Sequence, residues 1–529
     1  MGLMSSSKPS YQTYHLHPFN WEFDPDVERR PVGLLDYFTP QTYNNYALYF
    51  KFSSPLTTED DKARVVNIMK AGFAHLFSQV RHLVGRIERN PDSPGELQYV
   101  RRKGDTVRFD VQHLDLDDGA GKKYPSIDEL EEQHFRGVLL GDLKVWSIPG
   151  MTYGAHPPAH PNEMPTISAY KLNFISGGFI LNMHHHHFAS DVVGWVGYTK
   201  QLSIICQAIS RSIPIPSFPV SCLDNSRLNP PSTTPPSNDP LPPLVYPPPD
   251  PAKKGVSLLF HLPAPKATAL KTLALQDLNK AKEEVQTGGE QWMISTYDTL
   301  AALLLRTLIR LSPIPLAGDT VPFYTHAINL RPRLNPPLHP QHQFNCLACP
   351  LSVSPPPNIS QPTVSDIVSG WSLGRLALYI RQMTHGIVDL SNGFLDQMLQ
   401  EMGKAGDKAG LSIRLDELPK GGVYITDHRD VGGLLGGCWG FGDGDGEGDK
   451  GGNKTKLVAY RHLVDSIDQG GVIVYPSRGK VKGNEDEGLE FVVFSGGTEE
   501  EAMGRLVGGE EWGDWVEFRG FDGVDLRGR

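Results

Sequence analysis

Four consecutive histidines, His184, His185, His186 and His187, stand just before Asp191 and form the densest group of side chains in the chain able to do chemistry. An imidazole titrates near neutral pH, so one held at the end of a strand can take a proton and return it. A histidine run also raises the question of a metal. Neighbours on a strand point to opposite faces, so only His184 with His186, or His185 with His187, could share an ion. No carboxylate or cysteine lies at a helpful spacing beyond them, and Cys346 and Cys349 form a single CxxC without a second pair of ligands, so no metal is expected. His187 is then the candidate base. Asp191, four residues on across a strand-to-helix turn, can hold the local backbone and the imidazole. From the residues alone, a structural His–Asp pair and a catalytic one are equally open.

Periodicity outlines the elements that must carry these residues. Residues 178–187 are an apolar run ending in the histidines and read as a buried strand. Ser190 can cap the next helix, whose stripe Trp195, Tyr198, Leu202, Ile205 and Ile209 recurs every three or four residues. Upstream, residues 46–52 read as a strand, and Thr57 or Thr58 caps a helix facing inward with Val65, Met69, Phe73, Leu76 and Val80. In the second half, Ser295 to Asp298 is a capping box before an apolar helix over 300–311. Residues 472–475 and 489–494 read as strands, and Thr498 to Glu501 is a second capping box.

Fourteen of the 44 prolines fall between Pro214 and Pro251, a density that excludes both a helix and a central strand. The stretch reads as an extended crossover. The expected organisation is an N-terminal unit over 1–212, a linker over 213–254 and a C-terminal unit over 255–529, each mixing strands and helices. Within the last unit, residues 442–454 are mostly Gly and Asp. Asp443, Asp445 and Glu447 imitate the start of a calcium loop, but Lys454 stands where a bidentate glutamate is required, so a plain acidic loop is expected.

The chain has 529 residues, 39% of them hydrophobic. Single cores stop growing near ~250–300 residues, so two are expected. A net charge of -10 without a basic run argues against nucleic acid. No segment reaches the roughly 18 apolar residues needed to span a membrane. Residues 1–18 lack the ~7–15-residue apolar run of a secretory signal. The five cysteines, Cys206, Cys222, Cys346, Cys349 and Cys438, then read as reduced thiols in a cytoplasmic protein.

His186-His187-Phe188-Ala189-Ser190-Asp191 resembles the HHxxxD signature of the coenzyme-A-dependent BAHD acyltransferases. Other blocks follow in that family's order. The region of Leu35-Asp36 is similar to its LSPLD opening, and residues 295–311 to its STxD helix. Asn329-Leu-Arg331-Pro-Arg333 is similar to its NvRxR block, and Thr426-Asp-His428-Arg-Asp430 to TSWrd. Cys438-Trp439-Gly440-Phe441-Gly442 stands where DFGWG is usual, His428 replaces a tryptophan, and Phe344 replaces the glycine before Asn345. The likeness is greatest to the fungal branch that includes the trichothecene 3-O-acetyltransferases.

That resemblance implies a mixed α/β fold of two chloramphenicol-acetyltransferase-like domains, with a solvent channel between them. It implies an acyltransferase that moves an acyl group, acetyl most simply, from acyl-CoA to a hydroxyl of a specialised metabolite of terpenoid, alkaloid or polyketide type. His187 would be the general base and Thr426 would steady the oxyanion. Asp191 would be structural, paired with Arg331. His186 and the block Trp439, Gly440, Phe441 and Gly442 would support the site from below. Ser295, Thr296 and Lys254 are the candidates to meet coenzyme A, and Lys253, Lys266 and Lys271 could meet its 3′-phosphate; read from the residues alone, the lysines are solvated charges and the two hydroxyls helix caps. No permanently bound cofactor is implied, and a monomer is. Two other readings share the signature: a condensation-type enzyme using carrier-protein thioesters, and a non-catalytic homologue.

Overall fold

In the computed structural model of the chain, the described residues are 11–53, 58–116, 123–153, 156–230, 255–285, 293–356, 358–388, 393–413, 418–437, 439–441, 455–464, 470–483, 487–509, 512 and 514–523.

The histidine strand, Gly178–His186, is buried along its whole length. It pairs antiparallel with Ser168–Ile175 on one side and Tyr43–Lys51 on the other. The full sheet runs Tyr11–Leu16, Val107–His113, Ser168–Ile175, Gly178–His186, Tyr43–Lys51, Lys456–His462. It is mixed, because Val107–His113 lies parallel to Ser168–Ile175. Its last strand comes from far along the chain and pairs with Tyr43–Lys51. The central strands are buried without alternation because both faces are covered. Helices Glu59–Gln79 and Val192–Ser210 lay Phe73, Leu76, Trp195 and Leu202 on one face, against Leu48, Leu181 and Met183. Ile127, Leu143 and Trp146 cover Ala47, Tyr49 and Ile180 on the other.

A second mixed sheet runs Tyr324–His326, Val423–Asp427, Gly471–Tyr475, Leu489–Gly496, Gly255–Leu262, Glu517–Phe521. Its first three strands are parallel neighbours and the rest pair antiparallel. Leu270, Leu304, Leu376 and Ile380, from three helices, pack on Phe260, Val474 and Phe491. A smaller apolar cluster joins Leu34 and Leu35 to Ile328, Leu330 and Cys346 and ties the two halves together.

The local signals behave as their chemistry dictates. Thr58 caps its helix, accepting from Asp61 N at 3.2 Å, while Asp61 accepts from Thr58 N at 2.8 Å. Thr57 lies outside the described residues. Ser295 with Asp298 and Thr498 with Glu501 form reciprocal boxes. Ser190, expected as a cap, is not one. Asp191 takes that place, accepting from Gly194 N at 2.7 Å, and Ser190 instead donates to the Gln343 carbonyl at 2.7 Å. Both residue types cap well, so the tertiary partner decides. The crossover is described to residue 230 and carries short turns at Val220–Cys222 and Ser226–Leu228. Residues 231–254, and the Gly/Asp loop at 442–454, lie outside the described residues. Among the described residues, no helix is long and apolar enough to cross a membrane.

Candidate active site

The four histidines divide by strand alternation. His184 and His186 share one face. His184 Nε2 accepts from Ile148 N at 3.3 Å, and His186 Nε2 donates to the Ala159 carbonyl at 2.8 Å while its Nδ1 accepts from Phe188 N. His185 turns to the other face, where its Nε2 lies 3.2 Å from Asn44 Nδ2 and 3.3 Å from the Ser190 carbonyl. All three are fully buried, and burial pushes His184 and His186 down to about 3 and His185 well below its ordinary value. They are neutral fixtures that hold the strand end, and His186 braces the turn that carries His187.

His187 is the first residue beyond the strand. Its N–H donates to the Thr42 carbonyl at 2.8 Å and it opens the short turn His187–Ala189. Its ring is half-buried and lines a cavity of about 630 Å³ between the two sheets. The Nδ1 atom is buried and has no hydrogen-bond partner among the described residues. Burial lowers the pKa below 6.5, against smaller opposing effects of its own backbone carbonyl, Asp191 and Asn345. The imidazole is therefore neutral, and able to accept a proton, at neutral pH. Any activity that needs this base should hold as pH falls through 6.5 and be lost only below it, once the ring is charged. A kcat/KM profile checks this; an acidic limb above 6.5 would contradict it.

Asp191 does not touch this ring. Its Oδ1 accepts from Gly194 N at 2.7 Å and Arg331 Nη2 at 2.8 Å, and its Oδ2 from Arg331 Nη1 at 3.0 Å and Cys346 N at 2.8 Å. Burial alone would raise its pKa, but the Arg331 charge and these hydrogen bonds outweigh burial and hold it below the ordinary value. Arg331, only 1% exposed, also donates through Nε to the His342 carbonyl at 2.9 Å. The pair thus joins the helix that follows the histidines to the second half of the chain.

Thr426 lines the same cavity from strand Val423–Asp427, and Ser295 and Thr296 line it from the start of helix Thr296–Arg310. The block at 439–441 does not. Trp439 and Phe441 pack on Phe50, and Phe441 also on Phe179. Phe179 is eight residues before His187, roughly 26 Å along a strand. Gly440 has a φ of +79° and sits against Ser210, so the block is a distant prop of the sheet and not the floor of the cavity. Gly442 and Lys254 lie outside the described residues, as do Cys438 and Lys253.

Of the wall cations, Lys271 is an expected coenzyme contact and Arg333 and Arg429 fall in family-like blocks, whereas Arg381 carries no signature in the sequence. Lys271, Arg333, Arg381 and Arg429 bring four cations to the cavity. Arg429 is bound by Asp427 at 2.7 Å and lies over the Tyr297 ring, and Arg381 is 3.7 Å from Asp298. Lys271 and Arg333 have no carboxylate partner among the described residues. His428, in the place of the usual tryptophan, lies 2.9 Å from the Tyr460 hydroxyl and is pushed down to about 3 by burial. Behind His187, Asn345 grips its carbonyl, and Asp36 holds the Asn345 amide. Charge in a tract matching a family block could have drawn attention to Arg333; Asn345 and Asp36 gave no local signal of their contact.

Residues 42–206 match the family described as the trichothecene 3-O-acetyltransferase-like N-terminal domain. Over 519 residues the chain is 38% identical to Acetyltransferase FGR3 of Gibberella zeae, covering 97% of this chain and 95% of that one. It is 23% identical over 428 residues to Trichothecene 3-O-acetyltransferase TRI101 of Fusarium sporotrichioides, covering 76% and 82% of the two. Its fold is that of F. graminearum TRI101, a protein solved with coenzyme A and deoxynivalenol, at a TM-score of 0.70 and 17% identity over 93% of this chain and 100% of that one. The HHxxxD turn, the Asp191–Arg331 pair and this likeness along nearly the whole length agree: the chain is an acyltransferase and belongs to the trichothecene 3-O-acetyltransferase-like family.

Proposed function

We propose that this enzyme transfers an acetyl group from acetyl-CoA directly to a hydroxyl of a small metabolite, with His187 as general base. One observation carries the reading: a neutral histidine on a pinned turn opens onto a cavity of about 630 Å³ that also holds cations without carboxylate partners among the described residues. The acceptor hydroxyl gives its proton to His187 Nε2 as its oxygen attacks the thioester carbonyl. The tetrahedral oxyanion takes a hydrogen bond from Thr426. As the C–S bond breaks, the leaving thiolate takes the proton back from His187. Asp191, engaged by Arg331, takes no part in the relay.

The cation wall suits the coenzyme's phosphates. Lys271 and Arg333 supply charge, and the start of the 15-residue helix at Ser295 and Thr296 adds a favourable dipole. Replacing both Lys271 and Arg333 by alanine should raise KM for acetyl-CoA by about tenfold, each 1.4 kcal/mol of lost binding being a factor of ten, and leave kcat little changed. Steady-state kinetics check this. Thr426→Val removes the proposed donor but keeps the shape, and should lower kcat by on the order of 10- to 100-fold with KM unmoved; a wild-type kcat would remove Thr426 from the mechanism.

The reading is tested by incubating the protein with acetyl-CoA and a panel of hydroxylated terpenoids, alkaloids and polyketides, including deoxynivalenol. The expected result is one acetylated product, identified by mass spectrometry, with an equal amount of free thiol. Failure to bind coenzyme A in calorimetry, and no product from any acceptor, would overturn it.

A further inference from the structure

His428 lines the cavity with His187 and Thr426, yet acyl transfer through His187 gives it no task. It follows strand Val423–Asp427 directly. It therefore stands two residues past Thr426, roughly 6–7 Å along the chain. Its orientation is fixed. The backbone N–H donates to the Val474 carbonyl at 2.9 Å, and only 3% of the residue is exposed. The rings of Tyr46, Tyr460, His462 and Tyr475 surround its imidazole, with centroids 5.8, 5.9, 5.6 and 6.4 Å away. A ring packed on so many sides cannot turn to suit a ligand. What it offers the cavity is settled before anything binds.

One ring nitrogen is already taken, because Nδ1 lies 2.9 Å from the Tyr460 hydroxyl. Tyr460 is buried, and its hydroxyl meets no other partner among the described residues. Burial also holds this phenol well above its ordinary pKa, so it keeps its proton. Two arrangements fit the distance. If Nδ1 carried the ring proton, it would donate to the phenol oxygen and leave the phenol O–H buried without an acceptor, at a cost of about 1–3 kcal/mol. If the phenol donates to Nδ1, both buried atoms are satisfied and the ring proton sits on Nε2. The second arrangement is favoured by on the order of tenfold to a hundredfold. His428 thus turns an N–H donor of fixed aim toward the cavity.

We propose that His428 is a specificity-determining residue: its Nε2–H donates to a second oxygen of the acceptor, a carbonyl, ether or hydroxyl oxygen within one six-membered ring of the hydroxyl that is acylated. The separation from Thr426 sets that reach. Tyr460 is the positioning residue that keeps the proton on Nε2. The inference rests on acetyl transfer at this site. Cyclohexanol is compared with the three positional cyclohexanediols as acceptor at saturating acetyl-CoA, and kcat/KM per hydroxyl is taken from thiol release. Wild type should favour at least one diol over cyclohexanol by about tenfold, the worth of one well-made hydrogen bond. His428→Phe keeps a ring in the packing but lacks the donor, and its preference should fall to about twofold or less. His428→Gln brings an amide N–H to nearly the same point and should restore part of the preference. Tyr460→Phe releases the ring proton from Nε2 and should cut the preference severalfold; it carries the test if His428→Phe does not fold. A wild-type enzyme without the preference, or a folded His428→Phe that keeps it, overturns the proposal and leaves acetyl transfer standing. Transfer to no alcohol, here or in the wider panel, overturns the functional reading and this one with it.

Discussion

His187→Ala should lower kcat for acetyl transfer by about 10³-fold or more, the range of a lost general base, equivalent to roughly 4 kcal/mol of transition-state stabilisation. No neighbour can substitute. His185 is buried behind the turn and lies well below its ordinary pKa. His428 is tied to Tyr460 and pushed down to about 3. Asp191 has both oxygens occupied by Arg331 and two backbone N–H groups. The fold should survive, because the backbone bonds of residue 187 to Thr42 and Asn345 do not depend on its side chain. Single-turnover product formation, read beside a melting curve, checks both halves of this expectation. A variant that melts like wild type and keeps a tenth of the rate would contradict it.

Asp191→Ala should be the most damaging substitution for stability, at about 3–5 kcal/mol. It leaves the Arg331 guanidinium 1% exposed and unpaired, takes the acceptor from Cys346 N and removes the cap of helix Val192–Ser210. The cap alone is worth ~1 kcal/mol. Because the folded pKa of Asp191 is depressed, its contribution is present at neutral pH and is lost as pH falls through the folded value. Wild type and variant should therefore differ most at neutral pH and converge in strong acid. Denaturant melts at several pH values test this. Equal midpoints at neutral pH would show that the pair is not structural. Activity should fall as well, since the pair anchors the helix that begins five residues after His187.

Much of this site is legible in the sequence because its parts are local. The histidine strand announces itself by an apolar run, the helices by their caps and stripes, and Thr426 and Arg331 by the blocks around them. What is missed depends on distant partners. Ser190 and Asp191 are equally good caps on paper, and only Gln343 draws the serine away. Trp439 and Phe441 sit near the site in the family pattern, yet their rings belong to the far end of the sheet with Phe50. Asp36 and Asn345 are 309 residues apart, and no periodicity reports such a contact. The strand Lys456–His462 joins a sheet built otherwise from the first half for the same reason: edge pairing is decided in space.

Thiol release distinguishes direct transfer from acetyl-CoA through His187 from every other route. Free thiol is followed in four mixtures, wild type and His187→Ala, each with acetyl-CoA and with or without an acceptor from the panel that gives product. Rapid release is expected only where wild type and acceptor are both present, with no acetyl group left on the protein by intact mass. Release that persists in His187→Ala, or a stoichiometric burst without acceptor that leaves an acetylated enzyme, would contradict it.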